Sequence, residues 1–287
     1  MRNWEEGDIN YGYINKYKFS REKFMNMNEY FDCIIKIIAE KKWNSPGIIP
    51  KCFLNKAINL GKGFTDIERD FFIKMLEKFD IYPDPKYQDY LEEILNHINI
   101  TEKKVYIAPL LSQVDKNNLY KSSHYIVRMF KSTYIKQLPL FDNKTVMLYQ
   151  NDCIMDEDSL LILVDDFIGT GMTAHSCISY YESIGISKSK ILVISFVIME
   201  TGLKKLNKEN IKVEYLKKYN KCISGNYDRK IAQKLMNVNE AICLRNNIEK
   251  PLGFHNSQAL IGMQRTPNNT LPIFWDNKIL YPLFPRD

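Results

Sequence analysis

The stretch Leu163-Val164-Asp165-Asp166-Phe167-Ile168-Gly169-Thr170-Gly171-Met172-Thr173 holds the residue types with the most chemistry in them. Two adjacent carboxylates, Asp165 and Asp166, close an apolar run, and a Gly-Thr-Gly turn follows. Ionised carboxylates only accept hydrogen bonds. A glycine turn ahead of a helix offers the opposite: unpaired N–H groups and a helix dipole that favours an anion. Gly169 and Gly171 let the backbone come close and take up positive φ, while Thr170 and Thr173 add hydroxyl donors. A phosphate beside two carboxylates is repelled unless the carboxylates meet another part of the same ligand. The vicinal hydroxyls of a ribose, close to its 5′-phosphate, meet that condition. The residues therefore predict a 5-phosphorylated ribose, with Asp165 and Asp166 on the diol and Gly169, Thr170, Gly171, Met172 and Thr173 around the phosphate.

The elements on either side suit this role. SLLILVDD (159–166) is the clearest buried strand, and MTAHSCISYYESIG (172–185) reads as a helix with Gly185 at its end. VYIAPLL (105–111), TVMLYQ (145–150) and ILVISFVIM (191–199) are further strand candidates, with a helix over 122–132 capped by Ser122 or Ser123. Near-continuous apolar strands alternating with helices predict a parallel sheet covered on both faces. In such a sheet ligands bind at the carboxyl ends of strands, where the two aspartates fall. Residues 200–287 add a short strand (211–216), a helix (228–246) and a Pro/Asn-rich tail. Residues 1–100 read as a separate helical unit, compatible with a winged helix but lacking a basic recognition helix. Its helices are expected at 21–42 with Ser20 as cap, at 50–60, at 65–79 behind a Thr65/Glu68 capping box, and at 84–98.

The order apolar strand, Asp-Asp, two residues, Gly-Thr-Gly, Thr resembles the 5-phosphoribosyl-1-pyrophosphate (PRPP) motif of type I phosphoribosyltransferases, and Leu161 to Ala174 fits it without a gap. The tail FHNSQALIGMQRTPNNTLPIFW (254–275) resembles a branch of that superfamily found in bacterial conflict systems, including retron-associated toxic effectors. The resemblance implies a Rossmann-like α/β fold over 101–287 and displacement at C1 of PRPP, with Mg²⁺ bridging ligand atoms and no direct protein metal site. It also implies a pyrophosphate loop after the first core strand. The match there is Lys121-Ser122-Ser123, without the glycines often seen; a capped helix start with an exposed lysine explains it equally. A mobile closing loop would have to lie in 133–158, where Lys136 and Lys144 are the cations noted. His255 and Asn256 with Ser257, or Asn268 and Asn269 with Thr270, are candidates to line the pocket near C1, set against a satisfied core histidine at 255. The branch further implies a partner complex of reverse transcriptase with RNA or DNA, docking on residues 1–100.

Other readings of the loop fit less well. GTGMTA (169–174) matches a dinucleotide-binding G-x-G-x-x-A, but that motif wants an acidic residue about 20 positions on, and Glu200 is too far. A methyltransferase loop needs its glycines nearer the aspartate. A Walker B strand has no G-x-x-x-x-G-K-[ST] to accompany it. A purely structural turn leaves two carboxylates at the end of a buried strand unexplained. Two functional alternatives to a transferase stay open: a nucleotide or NAD ribosyl-hydrolase or -transferase, and a catalytically silent nucleotide-sensing or partner-binding protein.

The composition sets outer bounds. The 287 residues are 45% hydrophobic and 26% charged, enough for a full core. A net charge of +6, spread as scattered lysine pairs, fits phosphate ligands and leaves direct nucleic-acid binding open. Six widely spaced cysteines without C-x-x-C argue against zinc and a disulfide scaffold. With neither an apolar leader nor a run of about 18 apolar residues, a cytoplasmic protein without membrane contact is expected.

Overall fold

The computed structural model describes residues 25–115, 121–150 and 155–286. The elements are α1 (Met27–Glu40), α2 (Phe53–Lys62), α3 (Asp66–Glu77), β1 (Asp80–Ile81), α4 (Tyr87–Leu95), β2 (Lys104–Pro109), α5 (Ser122–Met129), α6 (Thr133–Lys136), β3 (Thr145–Leu148), β4 (Ser159–Ile168), α7 (Met172–Ser183), β5 (Ile191–Met199), α8 (Glu200–Lys208), β6 (Lys212–Tyr219), α9 (Arg229–Arg245) and β7 (Ile261–Gly262). The expected cap Ser20 lies outside the described residues. Asn26 caps α1 instead, accepting from the N–H groups of Asn28 and Glu29 while Glu29 answers the Asn26 N–H.

The main sheet is α/β and all parallel, in the order β3-β2-β4-β5-β6. All nine residues of β5 are buried, because the sheet is covered on both sides. Strand alternation divides β4 between two cores. Leu160, Ile162 and Val164 pack with α4 and α5 (Tyr87, Leu91, Ile126), whereas Leu161 and Leu163 pack with Ala174, Cys177 and Ile178 of α7.

Two expectations are corrected. The described helices α1 to α3 of the expected N-terminal unit do not pack as a separate unit. Tyr30, Ile34 and Phe72 share one core with Leu235 and Ile242 of α9 and with Leu271, Phe274 and Phe284 of the tail. Glu68, besides closing the α3 capping box, receives a bidentate pair from Arg245 of α9 at 2.9 and 3.1 Å. Asp80 is bound by Lys217 at 2.9 Å and by the Tyr219 hydroxyl, which ties the segment after α3 to β6. The described part of 133–158 is built into the fold rather than left as a long closing loop: it holds α6, a 3₁₀ turn at Pro139–Phe141 and β3. Lys144 there donates to the Glu102 carbonyl at 3.1 Å. Helix α8 was not expected, since ETGLKKLNK is short, polar and interrupted by Gly202; only Gly202 and Leu206 are buried in it. Among the described residues no helix is long and apolar enough to cross a membrane.

Candidate active site at the carboxyl edge of the sheet

Strand β2 lies between β3 and β4, so the winding direction of the sheet reverses between β2 and β4. The connections after those two strands diverge and open a crevice at the carboxyl edge. The register Pro109↔Val164 ends β2 level with the residue before Asp165. A cavity of about 480 Å³ occupies this crevice. Its wall is formed by Lys121, Ser122 and Ser123 from the start of α5, Asp165 and Asp166 from β4, and Thr173 from α7, and it is closed by tail residues including Asn268 and Asn269.

The two aspartates have different surroundings. Asp166 is 5% exposed and falls on the α4/α5 side, where it accepts from the Tyr87 hydroxyl at 3.0 Å and from Ser122 Oγ at 2.7 Å. Asp165 falls on the α7 side and accepts the Asp166 N–H on Oδ1 at 3.0 Å. Burial, and next the charge of Asp166, push the Asp165 carboxyl well above the usual carboxylate range. Burial pushes Asp166 up as well, opposed by the hydrogen bonds from Ser122 and Tyr87. A cation arriving with a ligand would relieve both shifts. Among the described residues no group of three or more His, Cys, Asp or Glu could hold a metal by itself.

The glycine turn is gripped from two sides. Gly171 caps α7 in the left-handed region (φ 76°) and supplies no capping side chain, so the first N–H groups of α7 keep their donor capacity. A Cβ on Gly202 of α8 would lie 2.6 Å from the Gly169 carbonyl oxygen. On the other side, a Cβ on Gly169 would meet Asn269 Nδ2 at 2.3 Å. Asn269 is itself held by donating to Ser257 Oγ at 2.7 Å.

At the start of α5, Lys121 pairs with Asp115 at 3.1 Å and Ser122 is engaged with Asp166. Ser123 Oγ and His124 Nε2 are shut off from solvent and have no hydrogen-bond partner among the described residues. Burial, then Arg128, holds the His124 imidazole below its ordinary pKa. Buried polar atoms without partners are rare in folded proteins, and these two belong to residues on one cavity wall.

The family model PRTase-CE matches residues 61–286. The chain belongs to the PRTase-CE family. Three solved structures show distant, partial likeness to this PRTase-CE chain. Orotate phosphoribosyltransferase from Aeropyrum pernix is 14% identical, covering 47% of this chain and 70% of that one, with a TM-score of 0.30. APRTase from Giardia lamblia complexed with 9-deazaadenine is 11% identical, covering 47% and 81%, with a TM-score of 0.31. Orotate phosphoribosyltransferase from Mycobacterium tuberculosis H37Rv in complex with inorganic phosphate is 11% identical, covering 54% and 78%, with a TM-score of 0.29. A comparison with curated proteins found no match.

Among the expected site residues of the PRTase-CE chain, Asp165, Asp166, Thr173, Lys121, Ser122, Ser123, Asn268 and Asn269 line one cavity. Gly169, Thr170, Gly171 and Met172 are not part of its lining, since Asn269 is seated over Gly169, and Met172 is 47% exposed. His255 and Asn256 are corrected on both readings: they line no part of this cavity and His255 is no core residue. They sit exposed on a 3₁₀ turn at left-handed φ (49° and 54°), which directs the following Ser257 inward instead. The sequence reading missed Tyr87, Gly202, Gln264, Arg128, Arg265 and Arg286. Lys121, His124, Tyr125 and Arg128 follow helical spacing, so that face was readable. Tyr87 left no local signal, as its partner lies 79 residues away.

Proposed function

We propose that this protein binds PRPP, or another 5-phosphoribosyl ligand, and acts as a phosphoribosyltransferase. The observation that carries the reading is the convergence, in one cavity at the reversal point of the sheet, of a carboxylate pair, the start of α5 and Thr173 from the first turn of α7. Asp165, with Asp166 oriented behind it by Tyr87 and Ser122, accepts from the ribose hydroxyls. The N-terminus of α7 with Thr173 takes the 5-phosphate, and the start of α5 with Ser123 and Lys121 takes the diphosphate. Mg²⁺, when bound, neutralises diphosphate charge. The bond from C1 to the diphosphate oxygen breaks and its electron pair leaves with the diphosphate. The acceptor's lone pair forms the new bond to C1, and the acceptor's proton passes to solvent or diphosphate. The chain contributes position and fixed dipoles rather than a covalent nucleophile. Titration calorimetry with PRPP and Mg²⁺ tests this: Asp165→Asn/Asp166→Asn should weaken binding at least about tenfold, since hydrogen bonds to charged groups are each worth roughly 1.5–3 kcal/mol. Unchanged affinity would sink the ribose reading.

The biological reading is a bacterial antiphage effector of the retron type. It is supported by the resemblance of residues 254–275, whose Gln264 to Asn269 segment walls the cavity. A partner complex of reverse transcriptase with its RNA or DNA, docking on the N-terminal helices, belongs to the same proposal: α1 to α3 contribute nothing to the cavity wall.

A further inference from the structure

The cavity extends past the residues that the phosphoribosyl reading uses. Lys121 at the cap of α5 and His124, Tyr125 and Arg128 within that helix lie along the cavity, and seven helical steps span about 10 Å. Opposite stand Arg265 and Arg286 of the tail. Lys121 has its carboxylate in Asp115, whereas among the described residues no carboxylate pairs with the three arginines. Arg265 donates through Nε to the Arg286 carbonyl oxygen at 3.2 Å. Arg286 lies over the Trp275 ring, 5.8 Å from its centroid, and its Nη1 is closed to solvent with no hydrogen-bond partner. Burial, and then the charge of Arg265, lowers the Arg286 pKa, so the two guanidiniums repel each other. Like charges gathered on one cavity wall are costly to keep, and three guanidiniums lining one cavity give an anion a place to bind. Guanidinium forks match carboxylate and phosphate geometry. The donor's anions already have their positions at the starts of α7 and α5.

We infer that Arg128, Arg265 and Arg286 form an anion subsite for the second substrate, an acceptor that carries a phosphate or carboxylate of its own. This rests on the phosphoribosyl reading only for the word acceptor; the subsite itself rests on the arginines. Tyr125, 39% exposed on the same wall, gives an aromatic acceptor a surface to lie against. Phenyl phosphate and benzoate are suitable probes, titrated into the full chain by calorimetry with and without saturating PRPP and Mg²⁺. The expected result is binding of at least one probe alongside PRPP, weakened at least about tenfold by Arg265→Gln or Arg286→Gln, with PRPP affinity unchanged. The probe that binds tells phosphate from carboxylate. Arg265→Gln is the safer variant, because Arg286 also packs on Trp275. Three results would overturn the inference: no binding of either probe, exclusion of the probe by PRPP, or parallel loss of PRPP affinity in the arginine variants. The last two would assign the arginines to the donor diphosphate. Arginine-dependent probe binding in a protein that ignores PRPP would keep the subsite and remove the phosphoribosyl reading.

Discussion

The Tyr87 hydroxyl donates to Oδ2 of Asp166 at 3.0 Å, and the hydroxyl oxygen itself accepts the Gln264 N–H at 3.4 Å. One phenol thus joins α4, the end of β4 and the tail. Its ring is fully buried against Phe196 at 4.8 Å, so the hydroxyl has little freedom to point elsewhere. Burial raises its pKa above the ordinary tyrosine value, and it remains a donor at every working pH.

Tyr87→Phe keeps the ring and removes that donor. Asp166 then depends on Ser122 alone for orientation. We expect donor affinity to fall about tenfold, in line with roughly 1.5–3 kcal/mol for a hydrogen bond to a charged group. Calorimetry with PRPP and Mg²⁺ measures it, and full affinity would show that Asp166 needs no positioning from α4.

The Asp165 carboxyl is held above its unfolded value, so the folded chain binds this proton more tightly than the unfolded chain. That contribution is complete below the unfolded pKa of about 3.9 and is lost as pH rises through the folded pKa. In the ligand-free protein, Asp165→Asn should therefore raise Tm at neutral pH by about 2–4 °C, the equivalent of ~1 kcal/mol in a domain of this size. The gain should shrink as pH falls. Scanning calorimetry at several pH values checks it, and a variant that is less stable at neutral pH would show that the carboxylate is well compensated.

Gly202→Ala should disturb the glycine turn from behind. The new methyl group would press on the Gly169 carbonyl oxygen, and overpacking of this kind costs about 1–3 kcal/mol. Ribose 5-phosphate should then give a reduced thermal shift. Gly63→Ala is the control, because a Cβ there makes only an ordinary contact, 3.5 Å from the Leu60 carbonyl oxygen. Equal shifts in both variants would separate α8 from phosphate binding.

Gly171→Val combines a side chain at φ 76° with a contact 3.2 Å from Gly202 at the cap of α7. We expect the thermal shift with ribose 5-phosphate to disappear. A variant that shifts like the parent would mean that the phosphate binds elsewhere.

Expression in a bacterial host tests the effector proposal. The chain alone should slow growth, and Asp165→Asn/Asp166→Asn should relieve the harm. Equal harm from both forms would refute an enzymatic effector. Harm from neither would argue against an unrestrained toxin.

The sequence alone determined the sheet strands, the helix after the glycine turn and the paired carboxylates, because these are local matters. The nine residues of β5, apolar but for Ser195, fit a strand buried on both faces, and Asp-Asp before Gly-Thr-Gly sets acceptors beside donors along one stretch of chain. Helix α8 escaped notice because its nine residues bury only Gly202 and Leu206, too few for an apolar period. The tertiary structure decided which of the distant polar residues meet. Tyr87 reaches Asp166 only because α4 lies on the α4/α5 face of the sheet, and Asn269 rather than His255 enters the site because a left-handed turn at 255–256 faces outward. The three arginines, on α5 and at two places in the tail, share a cavity only after the tail has packed into the core of α1 to α3 and α9. Long-range packing of this kind leaves no period or spacing in the chain, and it is what builds the wall opposite α5.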